Sequence, residues 1–454
     1  MPSIAPRSTD EMWPCEEVRG GRGAAGRRNM QTDGDVDGWA AGGPMKLVLS
    51  VMLCSMLASS AAAQTPPPVR RSTSPPELTV YLMTMGPGKA VWERFGHNAI
   101  WIHDPVRGTD ETYNYGLFDL RQEKFLIRFL QGRMWYWMQG FPAESYVEQY
   151  RRANRSVWVQ ELEMTPAAKH ELQQFLEWNE RPENRFYHYD YYRDNCSTRV
   201  RDALDRALGG RIQDYASGLA TGKSYRFHTQ RLTANDPLVY TGLLIGLGQP
   251  VDREITAWEE MFLPLALRDH LRSIKVHAVD GAELPVVRSE RTLFESTDPP
   301  PLERPPFWLP MYFALGLVLG GGIFALASTA RRRHGARAGL LALSGSWGLL
   351  AGILGLVLTG LWAMTDHAAA YRNENLLQLN PLALSLLWLM PQAARSSSRA
   401  RAALIAVGLL VALSSAGLLL KLLPQFSQVN GEIIALALPI HLGLAAAVWQ
   451  LSRT

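Results

Sequence analysis

Between residues 77 and 297 the apolar positions recur with two different periods. Glu77–Met85, Phe95–His103 and Glu111–Leu120 are short runs rich in β-branched and aromatic residues, and each predicts a strand. Met134–Met138 and Ser156–Leu162 predict two more, with a short helix over Phe125–Leu130 between them. At Thr165-Pro166 the period changes: an N-cap and a first-turn proline precede Leu172, Phe175, Leu176 and Asn179 at helical spacing, and the helix is expected to end near Arg181-Pro182. Behind Asp194-Asn195-Cys196, the residues Val200, Leu204 and Leu208 recur at intervals of four before Gly209-Gly210. That spacing predicts a second helix with Cys196 in its first turn. Asn235–Leu271 reads as further helix, and Ser273–Phe294 as weakly alternating strand.

After a Pro-rich stretch, 298–306, the pattern becomes continuously apolar. Runs near 307–330, 340–364, 382–394, 402–423 and 433–451 are candidate membrane spans, the third being shorter than the roughly 20 residues a spanning helix needs. Arginines cluster at 331–337 and at 395, 399 and 401, which puts both loops in the cytoplasm. The region 77–297 and the loop 365–380 then lie outside, and the C-terminus inside. An α+β domain over 77–297 joined to a transmembrane bundle of about five helices, 307–454, is the expected fold.

The front of the chain fits export. Residues 1–44 are rich in Gly, Arg and acidic groups, lack periodicity and precede a second start at Met45, so they are expected to be disordered or to come from a mis-assigned start. From 45 to 63, Lys46, the apolar run Leu47–Leu57 and a small-residue tail make a signal peptide with cleavage near Ala63. A Pro/Arg/Ser linker, 64–76, follows. Cys54 comes after Leu53, where a lipoprotein signal wants a small residue, so it reads as a leader cysteine.

Export changes what the cysteines mean. Of three, Cys15 and Cys54 precede the expected cleavage, which leaves Cys196 alone in an oxidising compartment. A helix N-terminus favours a thiolate, and a thiolate attacks acyl carbonyls. His97, on an upstream strand, is the candidate base, and Asn114, on the next strand, the candidate third group, with His103 competing. Asn98, Asp194 and Asn195 flank these residues as helix caps or oxyanion donors. The aromatics Trp135, Tyr136, Trp137, Tyr187, Tyr189, Tyr191 and Tyr192 suit core packing better than an acyl groove. His97, His103, His188 and Asp190 lack zinc-motif spacing, so no metal or cofactor is expected. The amide-rich loop 366–381 offers His367, Arg372, Asn373, Asn375 and Asn380 for binding a substrate headgroup, or is merely solvated. The net charge of +4, without basic clusters interleaved with aromatics, argues against nucleic acid.

Phe95-Gly-His-Asn98, Tyr113-Asn-Tyr-Gly116, Asp194-Asn-Cys-Ser-Thr-Arg199, Trp258–Pro264 and Asn373–Pro381 together resemble the bacterial lipoprotein N-acyltransferases of the Lnb type. The resemblance runs from about Leu78 to the chain's end. It implies a periplasmic, papain-like (permuted) thiol-acyltransferase domain on an inner-membrane bundle, with Cys196 as nucleophile and His97 as base. Bacterial lipoproteins and membrane glycerolipids would be its partners, and the donor either a phospholipid or the lipoprotein's own diacylglyceryl group. On the residues alone, a Cys/His hydrolase of cell-wall peptides or lipid esters stays open, as does a non-catalytic binding or transport module in which Cys196 only packs.

Overall fold

The computed structural model describes residues 77–119, 121–277 and 282–453, so the leader and linker expected before residue 77 lie outside the described residues. Seven strands form one antiparallel sheet: β1 (Thr79–Met85), β2 (His97–Asp104), β3 (Thr109–Leu117), β4 (Trp135–Pro142), β5 (Val157–Leu162), β6 (Phe186–His188) and β7 (Val287–Phe294). Their spatial order is β7-β5-β1-β2-β3-β4-β6. Alternation along a strand sends neighbours to opposite faces, and both faces here are covered. Val80 and Leu82 join Ile100, Ile102, Tyr113 and Tyr115 in one core. Met83 and Met85 join Ala99, Val157 and Val159 in the other.

The first core is closed by α3 (Pro166–Glu180) through Leu172 and Leu176 and by α4 (Cys196–Ala207) through Val200, Ala203 and Leu204. Thr165 caps α3 as its sequence requires, accepting from the Ala168 N–H at 3.2 Å. The second core is closed by α2 (Ala143–Arg152), with Tyr146 and Tyr150 inside. A short helix, α1 (Phe125–Gln131), projects between β3 and β4.

Asn235–Leu271 is not one helical stretch. Its prolines and glycines divide it: after α5 (Tyr225–Thr233) come α6 (Pro237–Gly246), a 3-10 turn at Gln249–Val251, the strand Glu254–Thr256, the one-turn helix Ala257–Glu260 and α7 (Pro264–Leu271). Likewise Ser273–Phe294 divides into a hairpin, Lys275–His277 with Glu283–Pro285, and β7, which pairs with β5.

In the membrane region, four helical stretches are long and apolar enough to cross a bilayer: Leu309–Ala327, His334–Met364, Ser397–Leu422 and Gly431–Arg453. We denote the α-helices α8 (Leu309–Ala327), α9 (His334–Met364), α11 (Ala400–Leu419) and α12 (Gly431–Arg453), with α10 (Leu386–Arg395) between α9 and α11. The segment expected as a third span is composite, a 3-10 helix at Pro381–Ser385 running into α10. Gly355, nine residues before the Met364 end of α9 and so about 13 Å along it, packs against the Asn380 backbone. The chain between α9 and α10 therefore enters the bundle as irregular backbone, which is tolerated at that depth only where protein surrounds it. Gly316 and Gly320 of α8 meet α12 backbone to backbone, and Gly443 of α12 returns the contact. Arg331 donates to the carbonyls of Ala393 (3.3 Å) and Leu451 (2.7 Å), which places those three chain segments at one end of the bundle.

Candidate active site

The N-terminus of α4 is tied down by its own sequence. Asn195 accepts from the N–H groups of Ser197 and Thr198, each at 2.9 Å, while Thr198 Oγ1 accepts from the Asn195 N–H at 2.8 Å. This reciprocal cap satisfies the first-turn donors and leaves Cys196 at the first helical position. Asn195 Nδ2 donates to the carbonyls of Tyr191 and Phe262, both at 3.0 Å, so that side chain is wholly used as a brace and has no oxyanion role. Asp194 is also structural: both of its oxygens accept from Arg199, whose guanidinium lies 4.3 Å from the Tyr187 ring.

β2 and β3 bring the other two residues to the same place. Gly96 adopts φ +84°, and a side chain there would meet the Met85 carbonyl at 2.8 Å, so the turn that delivers His97 into β2 needs glycine. The β2–β3 register sets Ala99 opposite Asn114. His97 Nε2 lies 2.5 Å from Asn114 Oδ1, so that ring nitrogen carries the proton and Asn114 accepts it. At the adjacent bulge Gly116 has φ +98°, and a Cβ there would lie 3.2 Å from Cys196 Cβ and 3.7 Å from His97 Cε1. The missing side chain is what lets thiol and imidazole share one end of the sheet.

Burial pushes the Cys196 thiol up, but the charge on His97, the hydrogen bond between the two side chains and the N–H groups of Asn98 and Ser197 all push it down, and the net shift is downward. Cys196 is a free thiol and stays partly exposed. Asn98 is fully buried and donates to Ser197 Oγ at 3.0 Å and to the Pro264 carbonyl at 3.4 Å. Its side chain braces α4, and its backbone N–H faces the sulfur.

Two contributors entered the sequence reading only as parts of the resemblance, with no role assigned to them. One is Gly116. The other is the segment 258–264, whose carbonyls receive Arg201 (Trp258, 2.7 Å), Ser197 (Met261, 2.7 Å), Asn195 (Phe262) and Asn98 (Pro264). That segment is itself anchored by the buried Glu260, with Lys223 and His270 at 2.9 Å and His228 at 3.0 Å. Isolated residue types signalled neither, because both act through backbone.

Other candidates lie elsewhere. His103 is exposed on Asp110 at 3.0 Å, toward the opposite end of β2, and is not the third group. His188 packs on Trp135, and Asp190 caps the turn at Tyr192 and Arg193. Among the described residues no three His, Cys, Asp or Glu side chains converge as metal ligands.

The amide-rich loop divides. Asn373 Nδ2 donates to the carbonyls of Ile245 (2.8 Å) and Gly246 (3.0 Å), and Asn375 Nδ2 to those of Leu244 and Ile245, both at 3.0 Å. These amides satisfy the orphan carbonyls at the C-terminus of α6 and are not available to a substrate. Asn380 is buried and caps the 3-10 helix that follows it, accepting from the Leu382 N–H at 3.1 Å. Arg372 is exposed at φ +51° and contributes no contact to the thiol end. His367 stacks on Tyr191, five residues before Cys196 in the chain, with ring centres 6.2 Å apart. A cavity of about 780 Å³ opens instead between α8 and α12, lined by Phe313, Leu317, Ile434 and Leu442, on a bundle surface that a bilayer would cover.

Residues 65–231 match the family model of the Lnb N-terminal periplasmic domain, and residues 303–452 that of the Lnb transmembrane domain. No curated protein and no solved structure matches the chain. The two family domains follow one another in order and take in most of the sequence, the first containing Cys196, His97 and Asn114 and the second the whole apolar bundle. By both domains the chain belongs to the Lnb family, as a membrane protein of lipoprotein N-acylation with a periplasmic N-terminal domain.

Proposed function

We propose that this protein transfers a fatty acyl chain through a Cys196 thioester onto the α-amine of the lipid-modified first cysteine of a lipoprotein. The observation that supports it is the Cys196 thiol at the head of α4, paired with His97, which is bonded in turn to Asn114. In the first step the Cys196 thiolate attacks a glycerolipid ester: a C–S bond forms, the ester C–O bond breaks, and the leaving alkoxide takes its proton from His97. In the second, the lipoprotein amine attacks the thioester: a C–N bond forms, the C–S bond breaks, His97 takes the amine proton, and the thiolate is regenerated. The oxyanion between falls to the N–H of Cys196 at the positive end of α4.

The bundle holds this chemistry at the outer face of the inner membrane, with the arginine-bearing end and the C-terminus in the cytoplasm. Both substrates are lipids whose reactive groups lie at that face. The test is Cys196→Ala in a strain without other N-acyltransferases, with membrane levels matched. N-acylation of a reporter lipoprotein should disappear, and its persistence would sink the reading.

A further inference from the structure

α1 buries little of itself. Ile127 is 54%, Phe129 41% and Leu130 55% exposed, although five of the helix's seven residues are apolar. Large exposed apolar side chains gathered on one short helix mark a surface that meets something apolar. The helix stands beside the outer end of α9, where Trp362 and Met364 are also exposed. Three contacts lock the two: the Asp366 N–H donates to the Gln131 carbonyl at 2.8 Å, Arg133 pairs with Asp366 at 2.6 Å, and His367 Nε2 donates to the Phe129 carbonyl at 2.8 Å. α1 is thus held at the level where a spanning helix leaves the bilayer, and Lys124 and Arg128 supply cations of the kind that snorkel to headgroups there.

The same helix leads inward. Phe129 stacks with Phe125 (6.2 Å), Phe125 with Phe118 (6.0 Å), and Phe118 with Tyr136 (5.1 Å), which lies on Tyr189 (4.1 Å). On the other side Phe129 meets His367 at 6.4 Å, and His367 meets Tyr191. Tyr189 and Tyr191 then touch at 5.8 Å and close the circuit. Its inner rim belongs to the core that Cys196 also packs against, through Phe118 and Tyr189, and Asn195, next to Cys196 in the chain, holds the Tyr191 carbonyl.

We infer that the exposed face of α1 lies in the outer leaflet and that the aromatic circuit behind it is the path by which one acyl chain of a glycerolipid reaches Cys196. The second half rests on the acyl-transfer reading; the first does not. Two arms separate them. Full-length protein carrying benzoylphenylalanine at position 130, in vesicles of phosphatidylethanolamine and phosphatidylglycerol, should yield a lipid adduct by mass spectrometry. The same probe at position 106, in the distal β2–β3 hairpin, should yield none. Loss of the adduct at 130, or equal adducts at both positions, overturns the membrane face. In the second arm, Phe125→Ala with Phe129→Ala, both within the circuit, is assayed on a diacylglyceryl-cysteine lipopeptide. KM should rise about 10-fold or more, as the loss of apolar substrate contacts implies, with kcat and the rate of Cys196 alkylation by iodoacetamide held within about twofold. An unchanged KM overturns the path. No N-acylation by the unsubstituted protein would overturn the acyl-transfer reading and the path with it, while the crosslinking arm would still decide the membrane face.

Discussion

The thiol end of the sheet and the loop between α9 and α10 are built from the same side chains, asparagines and histidines, and spend them in opposite ways. In the loop, Asn373 and Asn375 give their amides to the last carbonyls of α6, and Asn430 donates in turn to Asn375 Oδ1 at 2.9 Å. At the sheet end, Asn195 is likewise consumed by capping, but Asn114 is aimed at an imidazole that faces the Cys196 thiol. Amide density therefore does not separate a site from a joint. What separates them is whether the donors and acceptors are already taken by backbone.

The largest effect should come from the thiol. Cys196→Ala is expected to lower lipoprotein N-acylation by at least about 10³-fold, in line with nucleophile removal elsewhere, with the apparent Tm of the membrane protein in detergent little changed. Asn114→Ala comes next: with the imidazole no longer oriented, kcat should drop about 10²-fold or more, and Asn114→Gln should restore little, because the 2.5 Å contact leaves no room for an added methylene. Asn375→Ala should invert that pattern. Asn375 is fully buried, and its loss leaves the Leu244 carbonyl only the longer Arg226 contact (3.4 Å) and strands the buried Asn430 amide, at about 1–3 kcal/mol in all. Its Tm should fall by several degrees while kcat per folded molecule holds. A normal Tm with lost activity would break the contrast and return the loop to the substrate.

Much of this was legible in local pattern. The Thr165-Pro166 and Asn195 caps declare two helix starts within a few residues, and alternating β-branched runs declare β1, β2 and β5. Chain order alone made Asn114 a neighbour of His97, because successive antiparallel strands pair. What stayed hidden depends on distant chain. Nothing near Asn373 says that its partners are the carbonyls of residues 245 and 246, and nothing near Cys196 says that residues 258–264 hold its helix. The third membrane segment was legible as a short one, but not its start: hydropathy counts apolar residues, and only the structure shows that Pro381 and the buried amides before it begin the element deep in the bundle as a 3-10 turn.

The smallest effect tests that distant brace through pH. Glu260 sits among His228, His270 and Lys223, and Arg231 Nε donates to His228 Nδ1 at 3.0 Å. With Nδ1 accepting, the His228 proton lies on Nε2, toward Glu260, and the ring is neutral. Burial pushes the His228 pKa below its ordinary value, against the pull of Glu260 and with the repulsion of Arg231 and Lys223. For a histidine depressed by folding, the unfolded chain binds the proton more readily, so stability is full above the unfolded value of about 6.5 and falls as pH drops toward the folded value. Burial also pushes Glu260 up, but its hydrogen bonds from His228, His270 and Lys223 dominate and hold it well below the usual carboxylate range, so it stays ionised through that window. One proton bounds the slope at about 1.4 kcal/mol per pH unit. Between pH 7 and 5 the apparent Tm should fall less steeply in His228→Gln than in the unsubstituted protein, whatever the other groups contribute to both. If the two slopes coincide, His228 does not titrate on unfolding, and the support beneath α4 is indifferent to acid.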